Sequence, residues 1–146
     1  SLTDLANRAM LVRQLEVAQE AAEKRGESFA LYVIDLDNFK AINDTLGHPT
    51  GDAYLKIVSQ RLRDCVGPTA FLARLGGDEF AVMHRETDRH EAQDLADHLV
   101  DALLAPVNLN GKEILGGGSV GVAMAPVHGT DPAILMKNAE LALYRA

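Results

Sequence analysis

Apolar positions along this chain follow two rhythms, one helical and one strand-like, and their alternation outlines a fold. Leu11, Leu15, Ala18 and Ala22 recur at helical spacing, and Lys24-Arg25-Gly26 supplies a basic last turn and a terminating glycine. Phe29 to Ile34 are six consecutive apolar residues rich in strand formers, which predicts a strand buried on both faces and ending at Asp35. A short helix is expected over Asn38 to Thr45, closed by Gly47. A longer one from Gly51 places Leu55, Val58, Leu62 and Val66 on one face. Phe71 to Leu75 and Glu79 to His84 read as strands joined at Gly76-Gly77, a hairpin signal. Asp88, with Glu91 three positions later, has the form of a capping box and opens a helix marked by Ala92, Leu95, Ala96, Leu99 and Leu103. Asn110-Gly111, between Val107–Leu109 and Glu113–Leu115, predicts a second hairpin, and Val120 to Met124 a further strand. Thr130-Asp131-Pro132 starts a last helix carrying Leu135, Ala139, Ala142 and Ala146. The expected order is α-β-α-α-β-β-α-(ββ)-β-α, with helices packed on a mixed, mostly antiparallel sheet, because two of the joins are tight hairpins.

Composition refines this picture in three places. A length of 146 residues is about one domain, and no repeat or linker-like stretch divides 1–146. The net charge of −7 argues against sequence-independent binding to nucleic acid, which runs on cationic side chains. An acidic protein still binds polyphosphates when Mg²⁺ bridges the two anions. Cys65, the only cysteine, cannot form an internal disulfide, which fits a reducing cytosol, and on its helix's apolar stripe it reads as a buried structural thiol. No apolar run approaches the ~18–20 residues of a membrane span, and no signal peptide is present. The expectation is a cytoplasmic domain without membrane contact, whose parent protein can itself be membrane-anchored. The chain begins at Ser1 rather than Met and reads as a piece of a longer protein.

Two segments could carry chemistry. Asp35-Leu36-Asp37-Asn38-Phe39-Lys40 lies where a buried strand opens into a short helix, and ligands often sit beyond such strand ends. Carboxylates there can hold Mg²⁺, and amides opening the helix can receive phosphates. On these residues alone, Asp37 serves equally as a helix cap. The second segment is Arg74-Leu75-Gly76-Gly77-Asp78-Glu79-Phe80, in which two glycines let the backbone approach a bulky ligand. A Gly-Gly turn is usually only a turn, but acids are depleted inside strands, so Asp78 needs a reason. If the two strands are neighbours, Asp35 and Asp78 reach the same end of the sheet. Unscreened, they would repel and one pKa would rise; a shared cation removes that cost. Two carboxylates around metal ions and a triphosphate are the parts of in-line displacement at phosphorus.

With these residues the chain resembles the GGDEF family. Gly76-Gly77-Asp78-Glu79-Phe80 is that family's signature. Leu2-Thr3-Asp4-Leu5-Ala6-Asn7-Arg8 is similar to its opening motif, more often LTGLPNR. The stretch Asp35 to Lys40, then Ala41-Ile42-Asn43-Asp44-Thr45-Leu46-Gly47-His48 and Gly51-Asp52, matches its substrate-binding segment almost letter for letter. Ser119-Val120-Gly121-Val122-Ala123 and Ala139-Glu140-Leu141-Ala142-Leu143-Tyr144 look like its late motifs, so the resemblance runs end to end.

The resemblance implies an α/β fold of the nucleotidyl-cyclase or polymerase-palm type and the joining of two GTP molecules into cyclic di-GMP with release of pyrophosphate. It implies that Asp35 and Asp78 hold Mg²⁺ (or Mn²⁺) through carboxylates and Leu36 through its carbonyl. Asp78 would also accept the 3′-hydroxyl proton, assisted by Glu79. Asn43 and Asp52 would bond the guanine, Gly76 and Gly77 would pass close to the nucleotide, and amides at Asn38 and Phe39 would meet the phosphates. One domain holds one GTP, so catalysis implies a head-to-tail homodimer. Further domains, a sensor or an EAL phosphodiesterase, are expected in the parent protein. The rival expectation is a catalytically silent GTP-binding domain that regulates such a partner. Intact Asp35, Asp78 and Glu79 favour the enzyme.

The match departs from the family at two points. Many active members carry an Arg-x-x-Asp product-inhibition motif five residues before the signature, where this chain has Gly67-Pro68-Thr69-Ala70. Arg61 and Asp64 have the spacing but lie too early, so no feedback through that site is expected. The family also continues after Leu-Tyr-x-Ala with a Lys and then an Arg that contact phosphate, and the chain stops at Ala146. Its C-terminal end is thus expected to be truncated, with weaker GTP binding and turnover. His90-Glu91 lacks the second His of a zinc-protease helix, and His84, His98 and His128 have no ligand spacing. His48 reads as structural, and Gly116-Gly117-Gly118 as a flexible join.

Overall fold

A computed structural model describes residues 5–126 and 131–145, side chains of the last two excepted. Expectations resting on Leu2, Thr3, Asp4, His128, Thr130, Ala146 and the Tyr144 side chain therefore lie outside the described residues. The elements are α1 (Arg8–Arg25), β1 (Phe29–Leu36), α2 (Phe39–Leu46), α3 (His48–Val66), β2 (Ala70–Gly76), β3 (Glu79–Arg85), α4 (Arg89–Leu104), β4 (Val107–Leu109), β5 (Lys112–Ile114), β6 (Gly118–Ala125) and α5 (Pro132–Arg145). This is the order that the apolar pattern predicts.

The main sheet runs β2-β3-β1-β6, with every strand pair antiparallel. The mixed sheet of the sequence reading is thus reduced to one parallel contact, an isolated bridge between Ala6 and Ala73. β1 is central, and its unbroken apolar run follows from helices covering both faces. Tyr32 and Ile34 join Phe80 and Val82 beneath Leu55, Val58 and Leu62 of α3 and Leu99 and Leu103 of α4. Leu31 and Val33 join Ala81 and Met83 beneath Leu11, Leu15 and Ala18 of α1 and Leu135, Met136 and Ala139 of α5. Period-two alternation then sends neighbouring residues into opposite cores. α5 approaches β6 so closely that a Cβ on Gly121 would overlap its backbone at Ala139 and Leu143.

Caps fix the helix ends much as the residues suggest. The Asn7 side chain accepts the Met10 amide at 2.9 Å, and Asp88 accepts the Glu91 amide at 2.8 Å. Asp131 accepts the amides of Ala133 and Ile134. Boundaries shift where pairing or proline decides them. β1 runs on through Leu36 because its amide bonds Asp78 O at 3.0 Å. α3 starts at His48, three residues early, with Pro49 in its first turn. β5 is Lys112–Ile114, one residue earlier than expected, because Asn110 (φ 52°) and Gly111 (φ 75°) form a two-residue loop that sets Lys112 opposite Leu109 and buries Val107 with Ile114. Among the described residues no helix is long and apolar enough to cross a membrane.

Candidate active site

The antiparallel pairing of β1 with β3 brings the end of one strand to the start of the other. Asp35 stands opposite Glu79, and Leu36 lies beside Asp78. Asp35 is held above its ordinary carboxylate range, first by burial, then by the Asp78 charge, then by Asp37. Its carboxyl is near enough to Asp78 to hydrogen-bond it when protonated. Glu79 is also raised, mainly by burial and then by Glu140, while Arg8, 3.6 Å away, pulls it down. Negative charge thus gathers at this sheet edge. Among the described residues no group of three or more His, Cys, Asp or Glu could hold a metal. The two crowded carboxylates of Asp35 and Asp78 are oxygen donors. Such a set fits Mg²⁺, which takes one or two carboxylates and fills its sphere with water and phosphate oxygens.

The turn after β1 is built from backbone. The Asp37 amide donates to Gly117 O at 2.9 Å, and Asn38 sits in the left-handed region (φ 62°) at the N-cap of α2. No side chain caps α2, so Asp37 is not the cap. The first-turn amides, Phe39 among them, have no partner within the helix. Gly116-Gly117-Gly118, read from sequence as a flexible join, is instead packed against this turn. A Cβ on Gly116 would overlap the Tyr54 hydroxyl, one on Gly117 would come 3.4 Å from Asp37 Oδ2, and one on Gly118 would come 3.1 Å from Asp35 O.

Gly76 (φ 148°) and Gly77 (φ 42°) form the exposed tip between β2 and β3, where a Cβ on either would meet nothing within 4 Å. Positive φ and open space, rather than packing, require glycine there. The tip is latched from below, because Arg74 donates to Gly77 O through Nε at 3.1 Å and Nη2 at 2.8 Å. On the other side of the turn, the Asn43 amide lies against Gly51, so close that a Cβ on Gly51 would overlap it. Asp52, the next residue, is exposed. Asn43 Oδ1 is buried without a hydrogen-bond partner, an acceptor still to be satisfied.

The structure thus sets Asp35 and Leu36 beside Glu79 and Asp78, and Asn43 of α2 against Gly51 of α3, next in sequence to Asp52. Three contributors escaped the sequence reading: the Arg74 latch, Glu140 near Glu79, and Tyr54 under the turn. Arg74 and Glu140 stand inside segments singled out in the sequence without a role of their own, and Tyr54 is an aromatic beside an aliphatic helix face. Arg61 and Asp64 are engaged by separate partners. Arg61 reaches the C-terminus of α4, donating to Ala105 O and Pro106 O, each at 2.6 Å, and Asp64 accepts from Gln60 at 3.0 Å. A groove of about 590 Å³ between α1 and α5 touches the site only through Arg8 and Glu140.

The GGDEF family profile, described as "Diguanylate cyclase, GGDEF domain", matches residues 1–146. A Caulobacter vibrioides protein described as an uncharacterized signaling protein is 44% identical over 99% of this chain and 18% of its own length. NbdA of Pseudomonas aeruginosa, a cyclic di-GMP phosphodiesterase, is 40% identical over 100% of this chain and 19% of its own. TpbB of the same species, a diguanylate cyclase, is 38% identical over 100% of this chain and 34% of its own. A solved structure comprising only the GGDEF domain of TpbB superposes with a TM-score of 0.96, covering 100% of this chain and 86% of that one at 38% identity. The chain spans about a third or less of these curated relatives.

Proposed function

Because the chain belongs to the GGDEF family, we propose that it is a diguanylate cyclase domain that joins two GTP molecules into cyclic di-GMP and releases pyrophosphate. The observation that carries this reading is the crowding of Asp35 and Asp78 beside an amide-rich turn, an arrangement that is costly without a bound cation and useful with one. Asp35 and Asp78 would hold Mg²⁺ through their carboxylates and Leu36 through its carbonyl, supplying charge neutralisation at the phosphate oxygens. Amides of Asn38 and Phe39 receive the phosphates, as helix openings do. Asp52 accepts guanine N–H donors, and the orphaned Asn43 amide bonds the same base. Gly76 and Gly77 leave the nucleotide room at the hairpin tip. Asp78 takes the proton of the attacking 3′-hydroxyl as its oxygen bonds to the α-phosphorus and the bond to the β-phosphate breaks. Glu79, steadied by Arg8, assists at that edge.

Each domain presents one such site, so the second 3′-hydroxyl comes from a GTP on another copy in a head-to-tail dimer. A second reading, a GTP-binding domain that regulates an attached partner, is supported by the 40% identity to NbdA, of which the matching region is a small part. Titration with Mg²⁺ and GTP tests what both readings share. GTP should bind, ATP should not compete, and Asp35→Ala should weaken binding strongly. Undiminished GTP binding by Asp35→Ala would remove the metal assignment.

A further inference from the structure

Tyr54 links the core to the phosphate turn through a chain of contacts. It is 1% exposed on α3, and its ring stacks on Phe39 with centroids 6.5 Å apart at 26°. Its hydroxyl lies against the Gly116-Gly117 backbone, where it meets the field of the Gly117 amide, and burial pushes it above its ordinary range, so it stays neutral. Gly117 in turn accepts the Asp37 amide at 2.9 Å. Gly116 leaves room for the hydroxyl, since a Cβ there would overlap it. A phenylalanine would fill the same apolar space, but a buried phenol needs a polar partner, and the partner here is the residue that anchors the turn.

We propose that Tyr54 is a positioning residue for the nucleotide phosphates: its hydroxyl fixes Gly117, Gly117 fixes Asp37, and its ring backs Phe39. Together these contacts set the turn whose Asn38 and Phe39 amides receive a nucleoside triphosphate. The inference rests on the GTP-binding reading and deepens it. Tyr54 is buried and acts through the turn's amides, so its effect should scale with the number of phosphates.

The test compares wild type, Tyr54→Phe and Gly116→Ala for binding of GTP, GDP and guanosine with Mg²⁺ present, alongside thermal unfolding without ligand. Tyr54→Phe should weaken GTP binding about 3–10-fold, the worth of one buried hydrogen bond. It should weaken GDP binding less and leave guanosine within twofold. Gly116→Ala, which displaces the hydroxyl, should show the same order, and Tyr54→Phe added to it should restore part of the GTP affinity. Equal losses for all three ligands, or losses in melting temperature alone, would mean a purely structural tyrosine and overturn the inference. Wild type that binds no GTP would overturn the nucleotide reading and this inference with it. Wild type that binds GTP while Tyr54→Phe binds it equally well would overturn the inference alone.

Discussion

Replacing Asp35 with Asn should stabilise the metal-free domain while abolishing its response to metal and nucleotide. In the folded protein burial, and after it the charges of Asp78 and Asp37, raise the Asp35 pKa above the ordinary 3.8. Two like charges ~4 Å apart repel by ~1 kcal/mol with full water screening and ~4 kcal/mol at an effective dielectric of 20. Asp35 retains solvent contact, so about 1–2 kcal/mol is the appropriate range, equivalent to ~2–8 °C in melting temperature for a domain of this size. The pH dependence has a definite direction. Because the folded-state pKa lies above the unfolded one, the folded protein takes up the proton first as pH falls. The penalty is present in full above the folded pKa and shed as pH falls through it towards 3.8. The advantage of Asp35→Asn in EDTA should therefore be largest near neutrality and close in acid. With Mg²⁺ and GTP, wild type should gain stability by mass action and the variant should not. A variant no more stable than wild type at pH 7 in EDTA would refute the view of this edge as crowded carboxylates awaiting a cation.

Gly121→Ala would drive a methyl group into the backbone of α5, which cannot yield as a side-chain tip can, so a loss of about 1–3 kcal/mol is expected in a denaturant titration. Arg61→Ala removes the guanidinium that bonds the carbonyls of Ala105 and Pro106; about 1 kcal/mol should be lost, with GTP affinity unchanged. Cyclic di-GMP should show no tight binding at Gly67–Ala70; calorimetry revealing tight binding that mutations there abolish would contradict this.

Much of the fold was legible because its strongest features are local. The Phe29–Ile34 run, short and rich in strand formers, reads as a strand covered on both faces, and the Gly76-Gly77 and Asn110-Gly111 pairs announce their hairpins. The Asp35–Asp78 convergence followed from strand adjacency. What stayed hidden depends on distant neighbours. Gly116-Gly117-Gly118 looks flexible in isolation, because a missing Cβ signals either a free backbone or a neighbour that leaves no room. Only the placement of Tyr54, Asp37 and Leu103 decides between them. Arg61 had the spacing of an inhibitory motif, yet its guanidinium reaches carbonyls more than 40 positions away. Asp37 looked like a cap because its position suits one, and its own amide bond to Gly117 sets a different geometry.

The central proposal is tested most directly by turnover of GTP with Mg²⁺ over a range of protein concentrations. Products would be resolved by chromatography. Cyclic di-GMP should appear at a rate rising faster than linearly with protein, as two facing sites require. GTP that binds but is never converted, even at the highest concentration, would contradict the cyclase reading and leave a GTP-binding regulatory domain.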